Sequence, residues 1–249
     1  MNNTESLKIM LKSLHLSSIQ EHYSNFARQA ESGEWSFEQY LKALIEQEVQ
    51  NRAERRTSRL LKQSCLPEGK NLETLDQKLL PLKVRRQIPV LCEGGFIERA
   101  ENILVFGLPG RGKSHLVAAI ARELVINNNQ SVFFINTRKL VERLLIAKKN
   151  LGLEKELKKL DKFGCIILDD IGYLQQSREE MEVLFAFLSE RYERRSIMIT
   201  SNLVFSEWDK IFKDTMTTAA AIDRLVHHSV ILELNNKSYR ADYAKQNLK

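Results

Sequence analysis

Residues 107–115 read GLPGRGKSH. They follow an apolar run, Ile103-Leu104-Val105-Phe106, and lead into a stretch where Leu116, Ile120 and Leu124 recur at helical spacing. A strand, a glycine-rich turn and a helix in that order can hold a phosphate. Gly107, Gly112, Lys113 and Ser114 satisfy G-x-x-x-x-G-K-[ST]. Glycines let the backbone wrap closely enough for successive N–H groups to face an anion. The helix that starts near Lys113 adds the positive end of its dipole. The expected cradle is Gly107, Leu108, Pro109, Gly110, Arg111, Gly112, Lys113, Ser114 and His115, and its ligand is ATP with Mg2+. Lys113 is expected to reach the β- and γ-phosphates, and the Ser114 hydroxyl to ligate the metal.

Around that stretch, short apolar runs alternate with amphipathic helical patterns. The runs are Ile103–Phe106, Ser131–Ile135, Cys165–Leu168, Ile197–Thr200 and Val230–Leu234. Strands separated by helices predict an α/β fold with a five-stranded parallel sheet between helices. Ligands of such sheets sit beyond the C-terminal ends of the strands. The run CIILDD ends there in Asp169 and Asp170. Asp169 suits a metal opposite Ser114, and a second carboxylate at Asp170 can orient or deprotonate an attacking water. The run SIMITSN ends in Thr200-Ser201-Asn202. Asn202 can donate and accept at once, which suits a place between the γ-phosphate and the water. Spacing alone favours a turn asparagine.

Upstream, Leu7, Met10, Leu11 and Leu14 keep helical register, and Ser36-Phe37-Glu38-Gln39 is a capping-box pattern. Phe37, Tyr40, Leu41, Leu44, Ile45 and Val49 then form one stripe. Beyond it, QNRAERRTSR is polar all round, as in a solvated helix or one lying against something acidic. Residues 1–70 therefore read as a small helical domain, 71–95 as a linker with Pro81, Pro89 and Gly94-Gly95, and 96–249 as the ATPase domain.

The 249 residues carry a net charge of +6. Residues 51–100 hold eleven Lys/Arg against six Asp/Glu, and residues 138–159 hold eight against three. Such excesses are either solvated helix faces or the footprint of a polyanion, DNA first among them. No run approaches the length of a membrane span, and MNNTESLKIM lacks the features of a signal peptide. Cys65, Cys92 and Cys165 are odd in number and far apart, which suggests a reducing compartment rather than a disulfide framework.

GLPGRGKSHL, CIILDDIGYL, LSERYERRSIMITSN with LVFSEWDKIF, and AAAIDRLVHHSVILELNNKSYR follow in that order. The combination resembles the IstB-type AAA+ ATPases, helper proteins of a family of bacterial insertion sequences and relatives of the DnaC-type helicase loaders. The resemblance runs from about Leu7 to Arg240. It implies the AAA+ strand order with the phosphate-loop strand central, Asn202 as the sensor-1 residue, and Arg224 as an arginine finger serving a neighbouring subunit. Read alone, Arg224 is more simply a surface or ion-pair arginine.

The resemblance further implies that residues 137–160 form a helical insertion facing nucleic acid. Arg138, Lys139, Arg143, Lys148 and Lys149 would neutralise phosphates, and Thr137 would cap the helix facing them. Partners follow: double-stranded DNA with little sequence preference, the transposase of the same element, and further copies of the chain in an ATP-dependent oligomer, all in the bacterial cytoplasm. Two features depart from fuller AAA+ proteins. Asp170 stands where many have glutamate, and little chain follows SYR, where Arg240 is a candidate sensor. A replicative helicase loader, a small-molecule kinase and a nucleotide-gated scaffold that hardly hydrolyses ATP are the competing readings.

Overall fold

The computed structural model describes residues 3–171, 177–203, 208, 225–226 and 228–235. The chain divides into two compact units, Met1–Arg59 and Leu60–Lys249.

The first unit is helical: α1 (Asn3–Ser13), α2 (Ser17–Ser32) and the greater part of α3 (Phe37–Ser64). The capping box forms as expected, with Gln39 N–H donating to Ser36 Oγ and Ser36 N–H to Gln39 Oε1. The helical stretch near the N-terminus is broken at Leu14–Leu16, so two helices stand where the register suggested continuity. No side chain caps α2 at Leu16. The buried Glu48 carboxylate, brought in by α3, accepts instead from the N–H groups of Ser18 and Ile19. Burial raises its pKa, but these bonds and Arg52 outweigh burial and leave it below the ordinary carboxylate value. Two of the arginines in the polar stretch are engaged within this unit: Arg52 with Glu48 and the His15 carbonyl, Arg55 with Ser17.

The second unit is a three-layer α/β sandwich. Its strands are β1 (Asn102–Phe106), β2 (Val132–Asn136), β3 (Cys165–Asp169), β4 (Ser196–Ser201) and β5 (Ser229–Glu233). All pair in parallel in the order β2-β3-β4-β1-β5. The phosphate-loop strand β1 is thus interior, between β4 and β5. β1 and β4 are buried along their whole length, as is β3 until its last residue, because helices cover both sheet faces. On one face, Ile103, Val105, Ile167 and Met198 pack with α4 (Leu82–Cys92) and α6 (Lys113–Asn128). On the other, Leu104, Ile166, Leu168 and Ile199 pack with α7 (Thr137–Lys149), α8 (Leu153–Leu160) and α9 (Arg178–Arg191). A short helix, α5 (Gly95–Glu98), leads into β1. No described helix is long and apolar enough to cross a membrane.

The stretch expected to be a linker is part of this core. Residues 71–95 hold a 3-10 turn (Gln77–Leu79) and α4, and they bury Leu75, Leu80, Val84, Ile88 and Leu91 against the sheet. Arg191, in the ERYERR stretch, is only 1% exposed. It donates to the carbonyls of Leu160, Phe163, Gly164 and Ser196, tying the entries of β3 and β4 together. Burial pushes its pKa down to about 10.

Candidate nucleotide site

Because the strands are parallel, the C-terminal ends of β1, β3 and β4 open on one edge of the sheet. Gly107 follows β1 with φ +155°, and a Cβ there would stand 2.7 Å from the Leu234 carbonyl oxygen. Only glycine lets β5 close against the start of the loop, where Leu234 N–H donates to the Phe106 carbonyl. Gly110 and Gly112 take left-handed conformations at φ +80° and +88°. Gly112 then starts α6 without any side-chain cap, so its first N–H groups remain for a ligand.

These elements border a cavity of about 340 Å³, within the range of about 300–1,000 Å³ common for small-molecule sites. Pro109, Gly110, Arg111, Gly112, Lys113, Ser114 and His115 line it, together with Asp170, Thr200 and Asn202. Gly107 and Leu108 are not on its wall. Their carbonyls accept from the Lys113 ammonium at 2.6 and 3.2 Å.

The two aspartates differ. Asp170 borders the cavity in a left-handed conformation, φ +66°, which aspartate tolerates better than most residues. Asp169 contributes to the end of β3. Its carboxylate accepts from the Thr200 hydroxyl at 2.7 Å, and the same hydroxyl accepts from Asp170 N–H at 2.8 Å. Thr200 thus fixes both aspartates, and sequence reasoning passed over it for Asn202. A hydroxyl at the C-terminal end of an apolar run was its one mark in the sequence, and spacing does not tie that hydroxyl to Asp169 or Asp170. Asn202 lies on the cavity wall, and its Oδ1 is buried without a hydrogen-bond partner among the described residues. A buried acceptor of this kind calls for a donor from the ligand side.

The described residues hold no group of three or more His, Cys, Asp or Glu fit to bind a metal alone. The oxygen donors at hand suit Mg2+, which is commonly held by one or two carboxylates together with substrate phosphates. Ser114 and Asp169 would hold it, Asp169 from the end of β3 rather than from the cavity lining, to which Ser114 and Asp170 both belong.

A second contribution was also missed. Residues 67–76 close the cavity with Lys70, Thr74, Leu75 and Asp76. Two residues of α6 pin this segment. Arg122 donates to the carbonyls of Pro67 and Lys70, and His115 Nε2 lies 3.1 Å from Thr74 Oγ1 and 3.2 Å from the Asn71 carbonyl. Burial pulls the His115 pKa below 6.5, aided by Lys70 and opposed by the Asn71 carbonyl.

The basic insertion needs correction in detail. Asn136, not Thr137, caps α7, accepting from Arg138 N–H. Thr137 is fully buried and donates to the Asp169 carbonyl at 3.0 Å, so it faces no phosphate. Arg143 pairs with Glu156 and lies over the Phe133 ring, and Lys148 pairs with Glu182. Arg138, Lys139 and Lys149 are exposed. None of the three has an ion-pair or hydrogen-bond partner through its side chain among the described residues. Arg224 and Arg240 lie outside the described residues.

The chain matches the family described as IstB-like ATP binding protein across residues 9–247. An insertion-sequence ATP-binding protein of Sinorhizobium fredii is 45% identical over 235 residues, 94% of this chain and 78% of its own length. The insertion sequence IS21 ATP-binding protein of Pseudomonas aeruginosa is 36% identical, covering 94% and 88%. Among solved structures, the DnaC helicase loader superposes with a TM-score of 0.57 at 20% identity, over 68% of this chain and 98% of that one. The replication initiator DnaA bound to AMPPCP and single-stranded DNA gives 0.58 at 15% identity, over 74% and 56%. The second unit therefore shares the fold of the DnaC helicase loader and of the DnaA initiator.

Proposed function

The chain belongs to the IstB-like ATP-binding protein family, and from that premise we propose that it is an ATP-hydrolysing, DNA-binding helper of transposition. It acts in the bacterial cytoplasm, assembles with further copies on double-stranded DNA, recruits the transposase of its element, and disassembles on hydrolysis. Insertion-sequence relatives favour this over a helicase loader, with which the fold is shared.

The observation that carries the catalytic part is one shared cavity: Lys113 and Ser114 line it together with Asp170 and Asn202. The loop and α6 N–H groups bind the phosphates of ATP, and Lys113 exchanges the Gly107 and Leu108 carbonyls for the β- and γ-phosphates. Asn202 Oδ1 accepts from the attacking water, and Asp170 takes its proton. The water oxygen bonds to the γ-phosphorus as the bond to the β-phosphate oxygen breaks, releasing ADP and phosphate. Ser114 and Asp169 would hold Mg2+, which would supply positive charge to offset that of the phosphates. Arg224 of a neighbouring copy supplies a further cation to the same phosphates.

Exposed Arg138, Lys139 and Lys149 provide the phosphate contacts to DNA, which makes binding salt-dependent and nearly indifferent to sequence. The test is ATP turnover with and without duplex DNA, read beside particle size. DNA should raise both turnover and size in the presence of ATP. Turnover that ignores DNA in a protein that stays monomeric would move the reading to a small-molecule kinase.

A further inference from the structure

The hairpin between α7 and α8 carries a side chain that neither packing nor backbone preference explains. The helix ends in a Schellman turn: Leu151 N–H donates to the Lys148 carbonyl and Gly152 N–H to the Ala147 carbonyl. That turn places one residue in the left-handed region, which glycine or asparagine takes at least cost. Here the residue is Leu151, φ +54°, although Asn150 precedes it and Gly152 follows it. Other non-glycine residues in this chain also take positive φ, but Leu151 is the one large apolar side chain among those described. It is also 98% exposed, so it gains nothing from burial in the chain alone. A strained, wholly solvated leucine at a loop tip is disfavoured twice, and such costs gather where a residue serves a ligand.

The surroundings point to the ligand. Lys148 and Lys149 form the last turn of α7 beside the leucine, and Lys149 is exposed with no ion-pair partner among the described residues. Ile146, one turn back, is 62% exposed. Residues 138–159 carry eight Lys/Arg against three Asp/Glu. An apolar tip flanked by cations fits a surface that is anionic outside and apolar within. Duplex DNA has that profile, and proteins that bend it push leucine and similar side chains between base steps from the minor groove.

We propose that Leu151 is a wedge that enters a base step of the bound duplex and kinks it, while the flanking lysines hold the phosphates. The proposal rests on the DNA-binding reading above and adds a residue that touches bases rather than phosphates. Its substrate consequence is a preference for deformable sites, because pyrimidine–purine steps unstack most readily.

The experiment uses the full-length protein with ATP and Mg2+. The probe is an end-labelled duplex of about 30 base pairs, far shorter than the persistence length of about 150 base pairs, so that energy transfer between its ends reports bending. Wild type should raise transfer at saturation. Leu151→Gly suits the left-handed turn and should fold at least as well as wild type. It and Leu151→Ala should bind with an unchanged salt slope but lose the gain in transfer. Lys149→Glu should lower the salt slope by about one or more while keeping the bend at saturation. Leucine variants that bend DNA like wild type overturn the wedge, as does a wild-type protein that binds without bending. Leucine variants that lose self-association without DNA also overturn it, because the tip then seats on another copy. A wild type that binds no duplex at any salt overturns the DNA reading itself, and the wedge with it.

Discussion

Replacing Thr200 by valine isolates what holds the two aspartates. Thr200 is fully buried, and valine matches its shape. The variant loses the bond to the Asp169 carboxylate at 2.7 Å and the bond from Asp170 N–H at 2.8 Å. A bond to a charged acceptor contributes about 1.5–3 kcal/mol and a neutral one about 0.5–1.5 kcal/mol, so the second unit should lose about 2–4.5 kcal/mol of stability. Turnover should suffer separately. Asp170 sits at φ +66° in a turn whose N–H is held by that hydroxyl. An error of about 1 Å in a reacting group can cost about 10²-fold in rate. ATP affinity should change little, because the loop and Lys113 do not depend on Thr200. The assay pairs steady-state turnover with nucleotide titration and urea unfolding. Thr200→Ser keeps the hydroxyl and should retain most activity while losing about 1 kcal/mol for the missing methyl. A folded Thr200→Val protein with wild-type turnover would refute the role given to this hydroxyl.

Lys113→Ala should abolish tight ATP binding, since the β- and γ-phosphates lose their cation; wild-type affinity by nucleotide titration would remove Lys113 from the site. His115→Gln should flatten the pH dependence of stability on the acid side. Burial holds the folded imidazole below 6.5, so the unfolded chain takes up the proton first. The stability His115 contributes is therefore full above about pH 6.5 and lost as the pH falls through the lower folded value. Urea midpoints measured across that window should fall in wild type and fall less in the variant. Arg224→Ala should keep ATP binding and slow hydrolysis by roughly 10³-fold, the lower end of the effect of an arginine finger. Mixed with Lys113→Ala, which keeps its finger, it should regain activity, and mixed oligomers without activity would show that Arg224 does not act across subunits.

The sheet was legible because its inner strands β1, β3 and β4 are buried on both faces and read as apolar runs. Each of the five apolar runs became a strand, with ends within about two residues of the expected ones, a normal uncertainty for element boundaries. The phosphate loop was legible because glycine at a positive φ and a lysine at a helix start leave a fixed spacing. The linker was misread because prolines and glycines mark loops only on average. Pro81 stands at the N-cap of α4, where no intrahelical N–H is missed. Pro89 lies inside the helix, where proline costs about 3 kcal/mol, yet Val84, Ile88 and Leu91 are buried around it and hold the helix in place. Thr200 could not have been singled out by spacing, since its partners lie some thirty residues away and meet it only when β3 and β4 pair.

The one-residue error at the head of α7 reaches further than a misplaced cap. Had Thr137 capped the helix towards DNA, the insertion would be joined to the sheet only through its chain and the packing of Leu140, Val141 and Leu144. Instead Asn136 and Thr137 both donate to the Asp169 carbonyl, at 3.4 and 3.0 Å. The next two residues are the exposed Arg138 and Lys139. The first turn of the basic helix is therefore bonded, through one carbonyl, to the residue whose carboxylate Thr200 holds beside Asp170. A load on that turn from a bound polyanion has a short bonded route to the end of β3. A solvated basic face would need no such attachment. The six side chains that the sequence assigned to DNA contact thus divide into three sets: Arg138, Lys139 and Lys149 stay exposed and are the ones we propose meet phosphates, Arg143 and Lys148 pair with Glu156 and Glu182, and Thr137 fastens the helix to the end of β3.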